Sequence, residues 1–145
     1  MFNNLFLKVI SIKGDYDLGL FILRIFIGLL MFLNHGIGKI TAGSDRWDRL
    51  GHAFTDMIGI EFGSIIFGFL ASFAESIGAV FILAGFFTRL SSFLLFFTMF
   101  IASLKHFFEG DSSELAIIYA LVSIVIIITG PGRHSVDHYI LKKID

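Results

Sequence analysis

Cysteine is absent from this sequence, proline occurs once, and only 16% of the 145 residues are charged. The lack of cysteine excludes a disulfide-stabilised secreted domain and any chemistry of protein thiols. The formal net charge of -1 provides no basic surface for nucleic acid, which we exclude as a partner. Hydrophobic residues make up 56% of the chain, whereas soluble domains contain about 45–50%. This composition excludes a disordered chain and indicates a membrane protein.

Four long apolar runs lie along the chain and cover residues 18–38, 63–88, 90–107 and 113–130. A helix needs about 20 apolar residues to cross the hydrocarbon core of a bilayer. Each run is apolar on all faces, as contact with lipid requires. We therefore predict an all-α fold, a membrane-embedded four-helix bundle formed by residues 18–133.

Amphipathic segments flank and connect these runs. Residues 1–17 carry apolar side chains at helical spacing beside two lysines, which predicts a juxtamembrane helix on the membrane surface. Residues 134–145 are predicted to form an amphipathic cytoplasmic tail. In the first loop one helical stripe is apolar and consists of Trp47, Leu50, Phe54, Met57 and Ile58. This stripe predicts an interfacial helix that covers one mouth of the bundle.

Four spans place both termini on the same side of the membrane. Outside the spans, that side collects Lys8, Lys13, Arg89, Arg133, Lys142 and Lys143. The other side collects Lys39, Arg46, Arg49 and Lys105. Because cytoplasmic loops carry the excess of Lys and Arg, we expect the N- and C-termini to be cytoplasmic.

Three spans carry ionisable side chains that the heights of the helices bring together. With a rise of about 1.5 Å per residue, Glu75 lies about 21 Å from the cytoplasmic face, and His35 and His106 lie about 26 Å from it. Ionisable groups at such depth usually face the bundle interior and often have a functional role. We therefore predict that Glu75, His35 and His106 form a proton relay or ligand site.

Further charged residues lie on the same helical faces. Arg24 and Lys39 continue the stripe of His35, and Glu109 shares a face with His106. We expect these three residues to contact a ligand, with Lys39 as the charge partner. Two alternatives stay open: Glu75 forms a structural ion pair with Lys39, Arg24 or Lys105, and Arg24 reaches the lipid headgroups. We expect Tyr119 to contact lipid or to pack.

A buried carboxylate beside two imidazoles suits several kinds of chemistry. Such a cluster can pass protons, because its pKa values respond to burial and to neighbouring charges. It can also hydrogen-bond the carbonyl groups of a quinone held among Phe side chains. Zinc or non-haem iron is a third option, with His35, Glu75 and His106 as ligands.

The assembled motifs resemble those of the DoxX family of small four-helix bacterial membrane proteins. The matching pieces are LRIFIGLLMFLNHGIGK (23–39), WxxLG (47–51), GxEF (59–62), FAESIGA (73–79), GFFTR (85–89), HFFEGD (106–111) and GPGRHSVD (130–137). The family motifs fall on His35, Gly36, Lys39, Glu75, Arg89, His106 and the segment 130–132. A proline near Phe62, where relatives often begin the second span, is missing.

The resemblance implies an inner-membrane protein with a role in quinone-linked redox chemistry. Some DoxX-like proteins are described as subunits of a thiosulfate:quinone oxidoreductase, and others as membrane partners in oxidant-defence complexes. The chain has no C-x-x-C-H motif and no dinucleotide fingerprint. A catalytic cycle would therefore need a bound quinone, a metal, or a soluble or membrane redox partner protein that carries the cofactor. We also expect lipid contacts. A homo-oligomer is a further expectation. The alternatives are a non-catalytic scaffold or carrier, and, less favoured, a channel.

Overall fold

The computed structural model describes residues 14–144, and the regular elements in that part of the chain are all helices. They are α1 (Tyr16–Ile40), α2 (Ser44–Ile58), α3 (Ser64–Ala84), α4 (Thr88–Glu109), α5 (Glu114–Thr129) and α6 (Val136–Ile144). The predicted all-α fold is confirmed. Most of the predicted juxtamembrane helix, residues 1–13, lies outside the described residues, and Tyr16 and Asp17 belong to α1.

Local sequence explains where the helices begin and end. The Asp15 carboxylate accepts a hydrogen bond from the backbone of Leu18 at 3.1 Å and caps α1. Gly85 adopts a left-handed conformation with φ of 71° directly after α3, which favours glycine and ends the helix. The second apolar run was predicted to continue to residue 88, but α3 ends at Ala84 for this reason.

Three described helices, α1, α3 and α4, are long and apolar enough to cross a membrane. The fourth apolar helix, α5, has 16 residues, so it rises about 24 Å. α5 packs along α4, α1 packs against α3, and α2 packs against the first half of α3. The result is the expected arrangement of four apolar helices with α2 across one end.

Two π-helical segments interrupt the spanning helices. They are Phe32–Gly36 in α1 and Ala74–Gly78 in α3, and they pack against each other. A Cβ atom on Gly36 would overlap with the Glu75 carbonyl oxygen, so glycine allows the two backbones to touch. π segments are often found at functional sites, and here they shift the register of the side chains that follow. Sequence reasoning had assumed regular α-helices.

The two ends of the bundle differ in what closes them. One end, the turn end, contains the Gly85–Phe87 turn between α3 and α4 together with residues 130–137. The opposite end, the α2 end, contains α2 and the loop between α4 and α5. On the polar face of α2, His52 Nδ1 donates a hydrogen bond to the Asp56 carboxylate at 2.8 Å, and this bond raises the pKa of His52.

Candidate functional site

The buried carboxylate of Glu75 lies in the π segment of α3, and its side chain is only 3% exposed. Its partner is Lys39 in the last turn of α1, whose Nζ lies 2.7 Å from Oε1 and 2.5 Å from Oε2. The Lys39 side chain is 20% exposed, so its ammonium reaches the edge of the buried region. A buried carboxylate is costly unless it is paired, and this ion pair meets that requirement.

Two cavities meet at this ion pair. The larger has a volume of about 500 Å³ and is bounded mainly by apolar side chains of α2, α3 and α4. The smaller has a volume of about 210 Å³ and lies among α1, α4 and α5. Both are lined by Lys39, Glu75, Ala102 and His106. The Glu75–Lys39 pair therefore presents its polar atoms to two neighbouring spaces.

The structure brings both predicted histidines to the smaller cavity. His35 lies in the π segment of α1, with its ring edge-on to Tyr119 at 6.0 Å between centroids. His106 lies in the last turn of α4, and its Nδ1 is buried without a hydrogen-bond partner in residues 14–144. The nearest carboxylate oxygen, on Asp111, is 3.8 Å away. The cluster thus contains one acid, one ammonium and two imidazoles along connected cavity walls.

The side chains whose donor atoms are close enough to hold a metal ion are not the predicted set. Within residues 14–144, the donor atoms that gather within 4.8 Å of one another belong to His106, Glu109 and Asp111, and not to the set of His35, Glu75 and His106. Glu109 and Asp111 are exposed, and Lys105 Nζ lies 3.7 Å from Glu109. Exposed acids beside a lysine are an ordinary surface arrangement.

Two predicted ligand residues have different surroundings from those expected. Arg24 is fully buried at the turn end, where Nη1 donates to the carbonyl of Ile82 at 3.5 Å and Nη2 to that of His134. It therefore neither reaches the headgroups nor belongs to the Glu75 cluster. Glu109 lines the larger cavity from the exposed end of α4.

Two residues of the site were missed by sequence reasoning. Tyr119 was assigned to lipid contact or packing, but it is buried and lines the smaller cavity beside His35. The signal was present, since Ala116, Tyr119 and Ser123 form a stripe of small and polar residues on α5. Trp47 of α2 donates from Nε1 to the carbonyl of Lys39 at 3.0 Å and so fixes α2 beside the ion pair.

The comparisons with known proteins agree on the family. The DoxX family model matches residues 19–107. The chain is also similar to inner membrane protein YqjF of Escherichia coli (strain K12), with 32% identity in an alignment 139 residues long; the match covers 88% of this chain and 95% of that protein. No solved structure matches the chain.

Proposed function

Since this chain belongs to the DoxX family of integral membrane proteins, we propose that it is a multi-pass inner-membrane protein that binds a quinone or similar small apolar ligand. It would serve as the membrane subunit of a quinone-linked oxidoreductase. The observation that carries the proposal is a buried ion pair facing an apolar cavity of about 500 Å³. Cavities of this size, apolar with a few convergent polar groups, are typical of small-molecule sites.

The side chains around the cavity suit a ligand with carbonyl oxygens. An ammonium group has three N–H donors, and the contacts of Lys39 with the two Glu75 oxygens leave one of them for a ligand. The unpartnered Nδ1 of His106 offers a second position for a hydrogen bond. Apolar side chains such as Leu50, Phe54 and Phe67 line the rest of the cavity and suit a ring.

The same groups give a route for protons. Reduction of a quinone to a quinol takes two electrons and two protons. The electrons would come from a reduced partner protein that carries the redox cofactor. Glu75 would exchange a proton with the ligand, and His106 and His35 would exchange protons through the smaller cavity. With cytoplasmic termini, the cluster would lie in the outer half of the membrane.

A non-catalytic scaffold or carrier is the second candidate function, and one observation favours it. Glu75 and Lys39 already satisfy each other across α1 and α3. A pair of this kind fixes the register of two helices without any ligand. In that case the carboxylate would be needed for folding and not for binding.

Fluorescence of Trp47 distinguishes the two functions. Trp47 is the sole tryptophan, and its Nε1 donates a hydrogen bond to the backbone carbonyl of Lys39. A quinone bound beside Lys39 should therefore quench its fluorescence. We expect saturable quenching by a short-chain quinone, and an apparent Kd at least about tenfold higher for Glu75→Gln, which corresponds to about 1.4 kcal/mol. Glu114→Gln is the matched control, since this exposed carboxylate at the α2 end lines neither cavity. Absence of saturable quenching in the wild-type protein would refute the binding function, and equal Kd values for Glu75→Gln and Glu114→Gln would refute the role of Glu75 in it.

A further inference from the structure

Several side chains that line the larger cavity are also exposed on the outside of the bundle. They are Leu70 on α3, which is 42% exposed, and Phe93 and Phe97 on α4, which are 53% and 39% exposed. A side chain that borders a cavity and the exterior at once lies at an opening of the cavity. This opening is therefore apolar and lies between α3 and α4.

The packing of α3 and α4 explains the opening. The two helices are joined by the short Gly85–Phe87 turn, and the second half of α3, including its π segment, packs closely on α4. The first half of α3, Ser64–Phe73, makes few contacts with α4 and is packed instead against α2. The helices thus separate toward the α2 end. There Phe54 of α2 packs against Phe97 of α4, with 5.5 Å between the ring centroids.

The depth of the opening places it beside lipid chains. Phe93 and Phe97 follow the start of α4 by five and nine residues, so they lie about 8 and 14 Å along a helix that crosses a core about 30 Å thick. A ligand that passes between these side chains comes from the hydrocarbon layer and not from water.

The polar groups of the larger cavity favour an uncharged ligand head. Lys39 is paired with Glu75, and Lys105 lies 3.7 Å from Glu109. Among residues 14–144, each lysine that lines the cavity therefore has its own carboxylate, and these residues leave no excess positive charge there for a phosphate group. Hydrogen-bonding groups such as carbonyl or hydroxyl oxygens fit this lining better.

We infer that the larger cavity is filled sideways from the bilayer, through the gap between α3 and α4. Its ligand is a neutral-headed amphiphile whose head meets the Glu75–Lys39 pair and whose tail leaves between Leu70, Phe93 and Phe97. This inference rests on the proposed ligand-binding function. It adds that the ligand enters from the bilayer and that it carries an apolar tail. Because the cavity has a polar end and an apolar opening, we expect the head and the tail of the ligand to contribute separately to the affinity.

A single-cysteine experiment tests the opening, because the chain has no cysteine of its own. The Phe97→Cys variant is modified in detergent with a bulky, non-fluorescent aryl maleimide, and binding is followed by quenching of Trp47. The probes are a quinone with a ten-carbon tail and a quinone without a tail. We expect the modification to weaken binding of the tailed quinone about tenfold and to change that of the tailless quinone less than twofold. Phe26→Cys is the control, since Phe26 of α1 is exposed and does not line the cavity.

The outcomes separate the route from the function itself. If modification at position 97 changes both quinones equally or neither of them, the sideways route is wrong, while saturable binding that depends on Glu75 still supports the proposed function. If the wild-type protein binds neither quinone, both proposals fail. If vesicles of phosphatidylglycerol compete with the quinone and vesicles of phosphatidylcholine do not, the inference that the ligand head is neutral is wrong.

Discussion

Among residues 14–144, the turn end and the α2 end each bury one charged side chain, and they surround it differently. At the turn end, Arg24 is enclosed by backbone carbonyls, and the Asp137 carboxylate accepts hydrogen bonds from Phe87 N, Thr88 N and Thr88 Oγ1 at 2.7 to 2.9 Å. At the α2 end, Glu75 faces two cavities. A buried charge that is enclosed by other protein atoms therefore indicates a structural role. A buried charge that lines a cavity indicates a candidate binding site.

Arg24→Ala is expected to have the largest effect on stability. It removes a fully buried side chain and leaves the His134 carbonyl without its donor. We expect the free energy of unfolding in detergent to fall by about 3 kcal/mol. Arg133→Ala is the matched control at the same end, because the Arg133 side chain that pairs with Asp17 is 77% exposed and such a pair contributes about 0–1 kcal/mol. Equal losses would show that Arg24 is not a structural anchor.

Gly36→Ala tests the contact between the two π segments. The added Cβ overlaps with the Glu75 backbone, so we expect a loss of about 2 kcal/mol together with weaker quinone binding. Gly38→Ala, two residues further along α1, meets nothing within 4 Å and should be neutral or slightly stabilising. Thermal unfolding and Trp47 quenching of both variants measure this difference. Equal behaviour of the two variants would contradict the close packing.

Asp137→Ala removes the acceptor that caps the N-terminus of α4 from a distant part of the chain. We expect a loss of about 1–2 kcal/mol, with quinone affinity unchanged because Asp137 lines neither cavity. Asp111→Ala, an exposed aspartate at the other end of α4, should cost less than about 0.5 kcal/mol. A change in quinone affinity for Asp137→Ala would mean that the two ends are coupled.

The smallest expected effect is a pH dependence of α2. The hydrogen bond to Asp56 raises the pKa of His52 above its ordinary value of 6.5. The folded state therefore holds this proton more tightly than the unfolded chain. The stabilisation is complete below pH 6.5 and is lost as the pH rises through the raised pKa. Nuclear magnetic resonance titration of His52 should show a midpoint above 6.5 that falls in Asp56→Asn. An unchanged midpoint in Asp56→Asn would contradict this cause.

The sequence was informative where a pattern is local. Apolar runs predicted the spanning helices, and the stripe through Trp47 and Phe54 predicted a helix in the first loop, which the structure has as α2. The constant rise of a helix was enough to place Glu75, His35 and His106 at similar heights, and the structure lines the smaller cavity with all three.

Contacts between distant segments could not be predicted in this way. The two π segments pack against each other where Gly36 contacts the Glu75 backbone, and no periodicity in the sequence predicts them. The cap that Asp137 provides spans 49 residues to Thr88. Arg24 was predicted to contact a ligand because it lies on the helical face of His35. In the structure it donates to the backbone carbonyl of His134, which is 110 residues away in the sequence.

Native mass spectrometry of the protein reconstituted with a tailed quinone tests the central claim most directly. The account predicts a one-to-one complex for the wild-type protein and for Asp137→Asn, and loss of the complex for Glu75→Gln. This pattern would separate a binding end from a structural end. A complex that survives in Glu75→Gln, or that is lost equally in Asp137→Asn, would contradict the account.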